Sequence, residues 1–198
     1  TKPEKENIVF KDPLKIYISG YTPIFISNLI SQLCMDYPFK ISMVELSLNE
    51  IRSMLKKNDI EFAIVQSQIN DLTSDALLKK HYSCFVLSND RLKLIVNKHS
   101  SYSKYRNISL KALSEIPLVI NSTSLNDVPF FIQVLKNMGI SLNIRYLTNS
   151  KMATNYVKDN LACALVTDSI NFLTTDDENF EIIPIKEKIY ISYCLLIS

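Results

Sequence analysis

The sequence predicts an α/β fold whose first part is a parallel sheet with crossover helices. Three observations predict it. Between Leu14 and Val65 strand-like and helix-like runs alternate, the pattern of parallel strands joined by helices. Several strand ends pass into hydroxyl or amide residues and then into a helix, as N-caps require. The 198 residues are 47% hydrophobic and 21% charged, enough to close an ordinary core.

The run "LKIYIS" alternates and forms the first strand. It leads into "ISGYTP", which holds one of only two glycines in the chain. A glycine at a strand-to-helix corner permits unusual backbone angles, or a close approach by something in front of it. Thr22 and Pro23 read as the N-cap and first residue of a helix that runs to about Asp36. "KISMVEL" is the second strand. Ser47 and Glu50 then stand at capping-box spacing and open a helix to about Lys57. "EFAIV" is the third strand. "CFVL" and "RLKLIV" follow as two strands separated by the turn "SND". Beyond the polar stretch "NKHSSYSKYRN", a short helix fits "SLKALSE", and "IPLVI" is a strand ending in the turn formers "NSTSLNDVP". "FFIQVLKNMG" is a helix with Gly139 at its C-cap. "LNIRYL", "SKMATNYVKDN", "LACALV" and "DSINFLT" read as strand, helix, strand and helix. Two strands, "FEIIPI" and "IYISYCLLI", complete the order.

Four strand ends are alike: "ISGYTP", "VELSLNE", "VINSTSLND" and "YLTNSKM" each turn from apolar strand to small polar residues before a helix. In open α/β sheets ligands bind at such carboxyl ends. Helix capping alone gives the same pattern, so a shared cleft and plain capping both fit.

Several function classes are excluded. Net charge is +2 with no Lys/Arg cluster, so the chain carries no nucleic-acid surface of its own. Apolar runs are broken well short of a membrane span. Two glycines cannot build a phosphate-binding loop, and no nucleophile elbow or zinc-binding His pair occurs. No catalytic residue, metal ligand or cofactor is therefore expected. His81 and His99 read as surface residues. Cys34, Cys84, Cys163 and Cys194 lie far apart in apolar neighbourhoods and read as buried free thiols of a cytoplasmic protein. "TKPEKENIVFKD" is polar and reads, over residues 1–13, as a linker remnant.

The order of motifs resembles the effector-binding domain of LysR-type transcriptional regulators. "LKIYISGYTPIFISNLISQLCMDYP" is similar to the family's first strand, polar turn and long helix ending in Tyr-Pro, here Tyr37 and Pro38. "LKKNDIEFAIV" resembles the segment before its third strand, with Asn58 and Glu61 at the usual Gly and Asp positions. "RLKLIVNKHS" resembles the strand crossing between lobes, with Ser100 for the proline of His-Pro, and "SLKALSEIPLVI" resembles the Ser-Leu-x-x-Leu segment. "VKDNLACALVTDSI" looks like the late crossing segment, with Asn160 and Cys163 replacing glycines; Asn best tolerates the left-handed backbone a glycine supplies. The resemblance spans about Leu14 to Ser198.

That resemblance implies a two-lobed type 2 periplasmic-binding-protein-like fold with crossing strands between the lobes. Lobe one would comprise residues 14–95 and 166–198, and lobe two residues 96–165. It also implies a small-molecule effector held in the cleft, by Ser19, Gly20, Tyr21 and Thr22 of the first turn, with Ser47 and Gln66. Ser122 and Thr123 would face them from the second lobe, with Asn149 and Thr167 at later strand ends. The effector is expected to be small, polar and anionic, because the Pro23 helix dipole favours negative charge. The partners implied are a homodimer or tetramer, and DNA only through a winged helix-turn-helix expected ahead of Thr1, with no membrane.

The first helix bears on the dimer. Phe25, Ile26, Leu29, Ile30, Leu33, Cys34 and Tyr37 cover about half its circumference, wider than the ~100° stripe one packing face needs. Ile24 and Met35 add apolar surface elsewhere. Two other readings compete: an extracytoplasmic solute-binding protein of the same fold, and an enzyme such as a prephenate dehydratase-like lyase, whose Thr-Arg-Phe segment is absent.

Overall fold

The computed structural model describes residues 13–19, 24–36, 40–67, 80–122, 128–168 and 178–198. Strand β1 (Leu14–Ser19) pairs in parallel with β2 (Ile41–Leu46) on one side and β3 (Phe62–Ser67) on the other. Helix α1 (Ile24–Asp36) leads from β1 to β2, and α2 (Leu48–Lys57) from β2 to β3. This is the crossover arrangement that the alternation predicts. The rest of the large sheet is antiparallel: β3 pairs β9 (Tyr190–Ile197), and β9 pairs β4 (Ser83–Asn97). Strands β7 (Ala164–Thr167) and β8 (Phe180–Pro184) both pair with the later residues of β4. A second, two-stranded parallel sheet joins β5 (Leu118–Asn121) to β6 (Ile144–Thr148). Helices α3 (Phe130–Asn137) and α4 (Ser150–Lys158) flank β6 in sequence.

The turn expected at Ser88–Asp90 does not form. Strand β4 runs unbroken for 15 residues, and a register shift between Val86 and Ser88 absorbs the irregularity. Ser88, Asn89 and Asp90 lie opposite Tyr193, Ser192 and Ile191 of β9, and Ser192 Oγ donates to Asn89 Oδ1 at 3.0 Å. Ladder pairing along β9 outweighs the local turn preference. Residues 83–91 of β4 belong with β9, while residues 92–97 belong with β7 and β8. Around Arg91 the strand passes from one body of sheet to the other. "SLKALSE" closes as a short 3-10 helix, Leu110–Ser114, and "DSINFLT" lies outside the described residues apart from Asp168.

Local signals explain the helix ends. Ser47 and Glu50 form the expected capping box: Glu50 N donates to Ser47 Oγ at 3.2 Å and Ser47 N to Glu50 Oε2 at 2.9 Å. Among the described residues, positive φ occurs at Asn58 (59°), Gly139 (75°) and Asn160 (57°). The two asparagines are those that the resemblance sets at glycine positions, and both adopt the left-handed backbone that glycine readily supplies. Asn58→Gly should leave stability unchanged or slightly higher, and Asn58→Val should lower it by ~1–2 kcal/mol in urea unfolding. Equal midpoints for the two variants would show that the turn relaxes.

Three apolar clusters hold the elements. Ile51 and Leu55 of α2 share the largest cluster with Leu92 and Leu94 of β4, Leu113, and Ile132 and Leu135 of α3. Ile26 of α1 packs with Ile16, Ile18 and Ile64 on the first sheet. Ala153 and Val157 of α4 pack on Ile95, Val119 and Val166. The cysteine expectation needs correction: Cys163 and Cys194 are buried, but Cys34 and Cys84 are exposed. Cys34 sits on the outward side of α1, and Cys84 on the open first residues of β4. Burial pushes the Cys163 thiol up to about 12, which makes it inert. Both histidines are exposed, as expected.

Candidate functional site

The carboxyl ends of β1, β2, β3 and β5, with the starts of α2, α3 and α4, surround a cavity of about 340 Å³. Ser19, Ser47 and Gln66 line it from the first sheet, and Ser122 and Asn149 from the second. Five of the residues singled out in the sequence therefore meet at one place. Gly20, Tyr21, Thr22 and Thr123 lie outside the described residues. Thr167 is buried and does not line the cavity; it stands behind it.

Each lining residue has a local reason for its position. Ser19 ends β1, and its hydroxyl accepts from Gln66 N at 3.2 Å, which ties β1 to β3 at the cavity floor. Asn149 N-caps α4, its Oδ1 accepting from Met152 N at 3.0 Å. Ser122 follows β5, and its N–H donates to Thr148 O at 3.0 Å, holding it beside β6. Ser47 is committed: its hydroxyl donates to Glu50 Oε2 at 2.7 Å and accepts from Glu50 N. The Ser47 N–H and hydroxyl are thus occupied by the chain's own carboxylate. The Ser47 hydroxyl and N–H hold the Glu50 carboxyl below its usual range, so it is ionised at neutral pH.

Sequence reasoning missed Glu45, Glu50, Asn121, Phe130 and Tyr193. The first four line the cavity. Tyr193 lies beneath it, 1% exposed, where Gln66 Nε2 donates to its Oη at 3.0 Å and Thr167 Oγ1 shares a 3.0 Å hydrogen bond with it. Burial pushes the Tyr193 phenol well above its usual pKa and the nearby Asp90 adds to this, so it acts only as a neutral hydroxyl. A buried Tyr needs a partner for its hydroxyl, and that requirement was the available signal. Arg52 of α2 stacks over the Phe130 ring of α3, 5.8 Å from its centroid, a cation–π contact between elements on opposite sides of the cavity.

Where β4 meets the end of β7, Lys93 forms an ion pair with Asp168, whose Oδ2 also accepts from Arg91 N at 3.0 Å. Burial raises the Asp168 pKa, but the Lys93 and Arg91 interactions outweigh it and leave the carboxyl below its usual value. Among the described residues no group of His, Cys, Asp and Glu is arranged to hold a metal, and no helix is long and apolar enough to cross a membrane.

The family model described as "LysR substrate binding domain" matches residues 11–198. No curated protein matches the chain. Solved structures share its fold. The regulatory domain of CcmR from Synechocystis PCC6803, in complex with 2-PG, superposes with a TM-score of 0.72 at 13% identity, over 93% of this chain and 86% of that one. The reduced form of the OxyR regulatory domain from Pseudomonas aeruginosa gives 0.70 at 13% identity, over 93% and 88%. The BenM effector binding domain with its effector benzoate gives 0.66 at 16% identity, over 96% and 84%. The continuous match, the two-lobed fold and the cleft at facing strand ends agree: the chain belongs to the LysR substrate binding domain family.

Proposed function

We propose that the chain is the ligand-sensing and dimerising domain of a bacterial transcription regulator. It takes a small polar effector in the cleft, catalyses nothing, and acts in the cytoplasm on DNA bound by a separate helix-turn-helix. The observation that carries this reading is the cavity shared by polar ends of both sheets, with Ser19 and Gln66 opposite Ser122 and Asn149. Family membership supports it over the solute-binding and enzyme alternatives. Thr22 and Thr123 belong to the proposed site as neighbours of Ser19 and Ser122 in the chain. The lining disfavours the anionic effector expected from the sequence. It carries two carboxylates, Glu45 and Glu50, and no Lys, Arg or His among the described residues.

The pairing supports lobe boundaries near Arg91 and Tyr190, instead of the expected 95 and 166. Strands β7 and β8 both join the later half of β4, so they move with lobe two. β4 then crosses between the lobes at Arg91, and the chain crosses back just ahead of β9, where Leu92 N donates to Ile189 O at 2.9 Å. Exposed apolar side chains on both lobes support a dimer. Leu29 and Met35 of α1 and Met43 of β2 are exposed on lobe one, and Leu147 of β6 and Met152 of α4 on lobe two. A two-fold pair sets the α1 surface of one copy against the second lobe of its partner, twice. Ligand preference for the closed cleft would then bias the relative placement of the two copies.

A screen of metabolites by thermal unfolding tests the site. Compounds that raise the midpoint should bind Ser122→Leu about tenfold or more weakly, because the larger side chain fills the cavity wall. Thr22→Ala should lose a similar factor if the first turn donates to the ligand. Undiminished binding to both variants would put the site elsewhere, and conversion of a hit to product by pure protein would sink the regulator reading.

A further inference from the structure

The lining of the cleft has a chemical sign that the fold alone does not dictate. Glu45 ends the exposed row of β2, and Glu50 belongs to the first turn of α2; both face the same 340 Å³ cavity. The remaining described polar lining is neutral: Ser19, Ser47, Gln66, Asn121, Ser122 and Asn149. A helix start ordinarily offers N–H donors to an anion. At α2 the Glu50 carboxylate is held at that start, because Ser47 N and Ser47 Oγ both donate to Glu50 Oε2. An anion entering there meets a carboxylate beside the helix start. Arg52 of α2 is turned onto the Phe130 ring.

Building on the proposed cleft, we infer that its effector presents a cationic group, an ammonium or amidinium, to the Glu45 and Glu50 wall of lobe one. The opposite wall offers Ser122, Asn121 and the apolar trio Val128, Pro129 and Phe130. That combination suits an amine carried on a compact, partly apolar body with a hydrogen-bonding group at its other end. Opposite charge within a few ångströms in a half-enclosed site favours the ligand, and like charge disfavours it by a comparable amount.

Three probes of one shape separate charge from fit: benzylammonium, benzyl alcohol and benzoate. Titrating each into the isotopically labelled chain, amide spectra read saturable shifts at Ser47, Gln66 and Ser122. Benzylammonium should bind tightest and benzoate weakest, with roughly tenfold separating the cation from the alcohol. Glu45→Gln and Glu50→Gln should each remove several-fold of the benzylammonium affinity and leave benzyl alcohol unchanged. Glu50→Gln keeps the capping box, since Gln serves at that position, so the helix start survives the test. Benzoate binding at the cleft as tightly as benzylammonium would overturn the inference and leave the cleft as the ligand site. If such benzoate binding is lost in Arg52→Met, Arg52 is the anchor. No saturable cleft shift with any of the three would sink both the charge inference and the cleft.

Discussion

Met35→Glu should turn the proposed dimer into a monomer, with a dissociation constant raised about a hundredfold or more. Met35 is 78% exposed on α1, the largest exposure among the large hydrophobic side chains of the described residues. Leu29 of α1 and Met43 of β2 are exposed as well. Among the described side chains of α1, Ile26 is fully buried on its own sheet, with Ile30 partly buried beside it. Leu29, Cys34 and Met35 of the same helix are exposed. Under two-fold symmetry the substitution places a carboxylate in both contacts at once, which is why the effect is large. Met152→Glu, on α4 of lobe two, should act the same way. Phe85→Glu is the control: Phe85 is also exposed, but it lies on β4, outside both helices. Sedimentation across a concentration series reads all three. A dimer that survives Met35→Glu and Met152→Glu but is lost in Phe85→Glu would move the interface to the β4 edge. A chain that stays monomeric at every concentration would remove the dimer from the proposal.

Features encoded within a few residues are legible in the sequence, and features set by long-range register are not. The capping box at Ser47 and Glu50, the N-cap at Asn149 and the left-handed Asn160 each depend on the chain within about four residues. Their chemistry follows from the residue types and their spacing. The unbroken β4 is hidden, because Ser88–Asp90 becomes strand only when β9 lies beside it, and β9 is about a hundred residues away. Thr167 reads as cleft-facing because it ends a strand, but β7 pairs with β4 at Leu92 and so turns that hydroxyl to the interior. Glu50 is recognisable for its cap and not for its charge. A capping carboxylate is a local feature, whereas its position on a cavity wall depends on where β5 and α3 come to rest opposite it.

Tyr193→Phe should destabilise the chain by ~2–4 kcal/mol, although it removes a single oxygen. The antiparallel register of β3 and β9 sets Gln66 directly opposite Tyr193, and β4 sets Ser88 on its other side. In that enclosure the Tyr193 hydroxyl accepts from the Gln66 amide and shares a hydrogen bond with the Thr167 hydroxyl, each at 3.0 Å. Gln66 is 3% exposed and Thr167 1%, so neither can turn to bulk water when the oxygen goes. Leaving a buried donor or acceptor without its partner costs ~1–3 kcal/mol per group, more than the net value of the bond itself. That asymmetry supplies the test. Tyr193→Phe combined with Thr167→Val and Gln66→Leu removes the polar groups together, and the triple variant should recover much of the lost stability. A triple variant as unstable as the sum of its parts would show that packing, not orphaned polarity, sets the cost. The same oxygen bears on function, because it orients the Gln66 side chain from below while Ser19 holds the Gln66 backbone. A cleft ligand that reads the Gln66 amide should bind Tyr193→Phe more weakly, by roughly threefold to tenfold, with its contacts to Ser122 unchanged. Chemical shifts at Ser122 that follow binding as in the parent chain, while those at Gln66 disperse, would identify Tyr193 as the residue that positions the amide. Parent-like affinity and parent-like Gln66 shifts would reduce Tyr193 to a structural side chain.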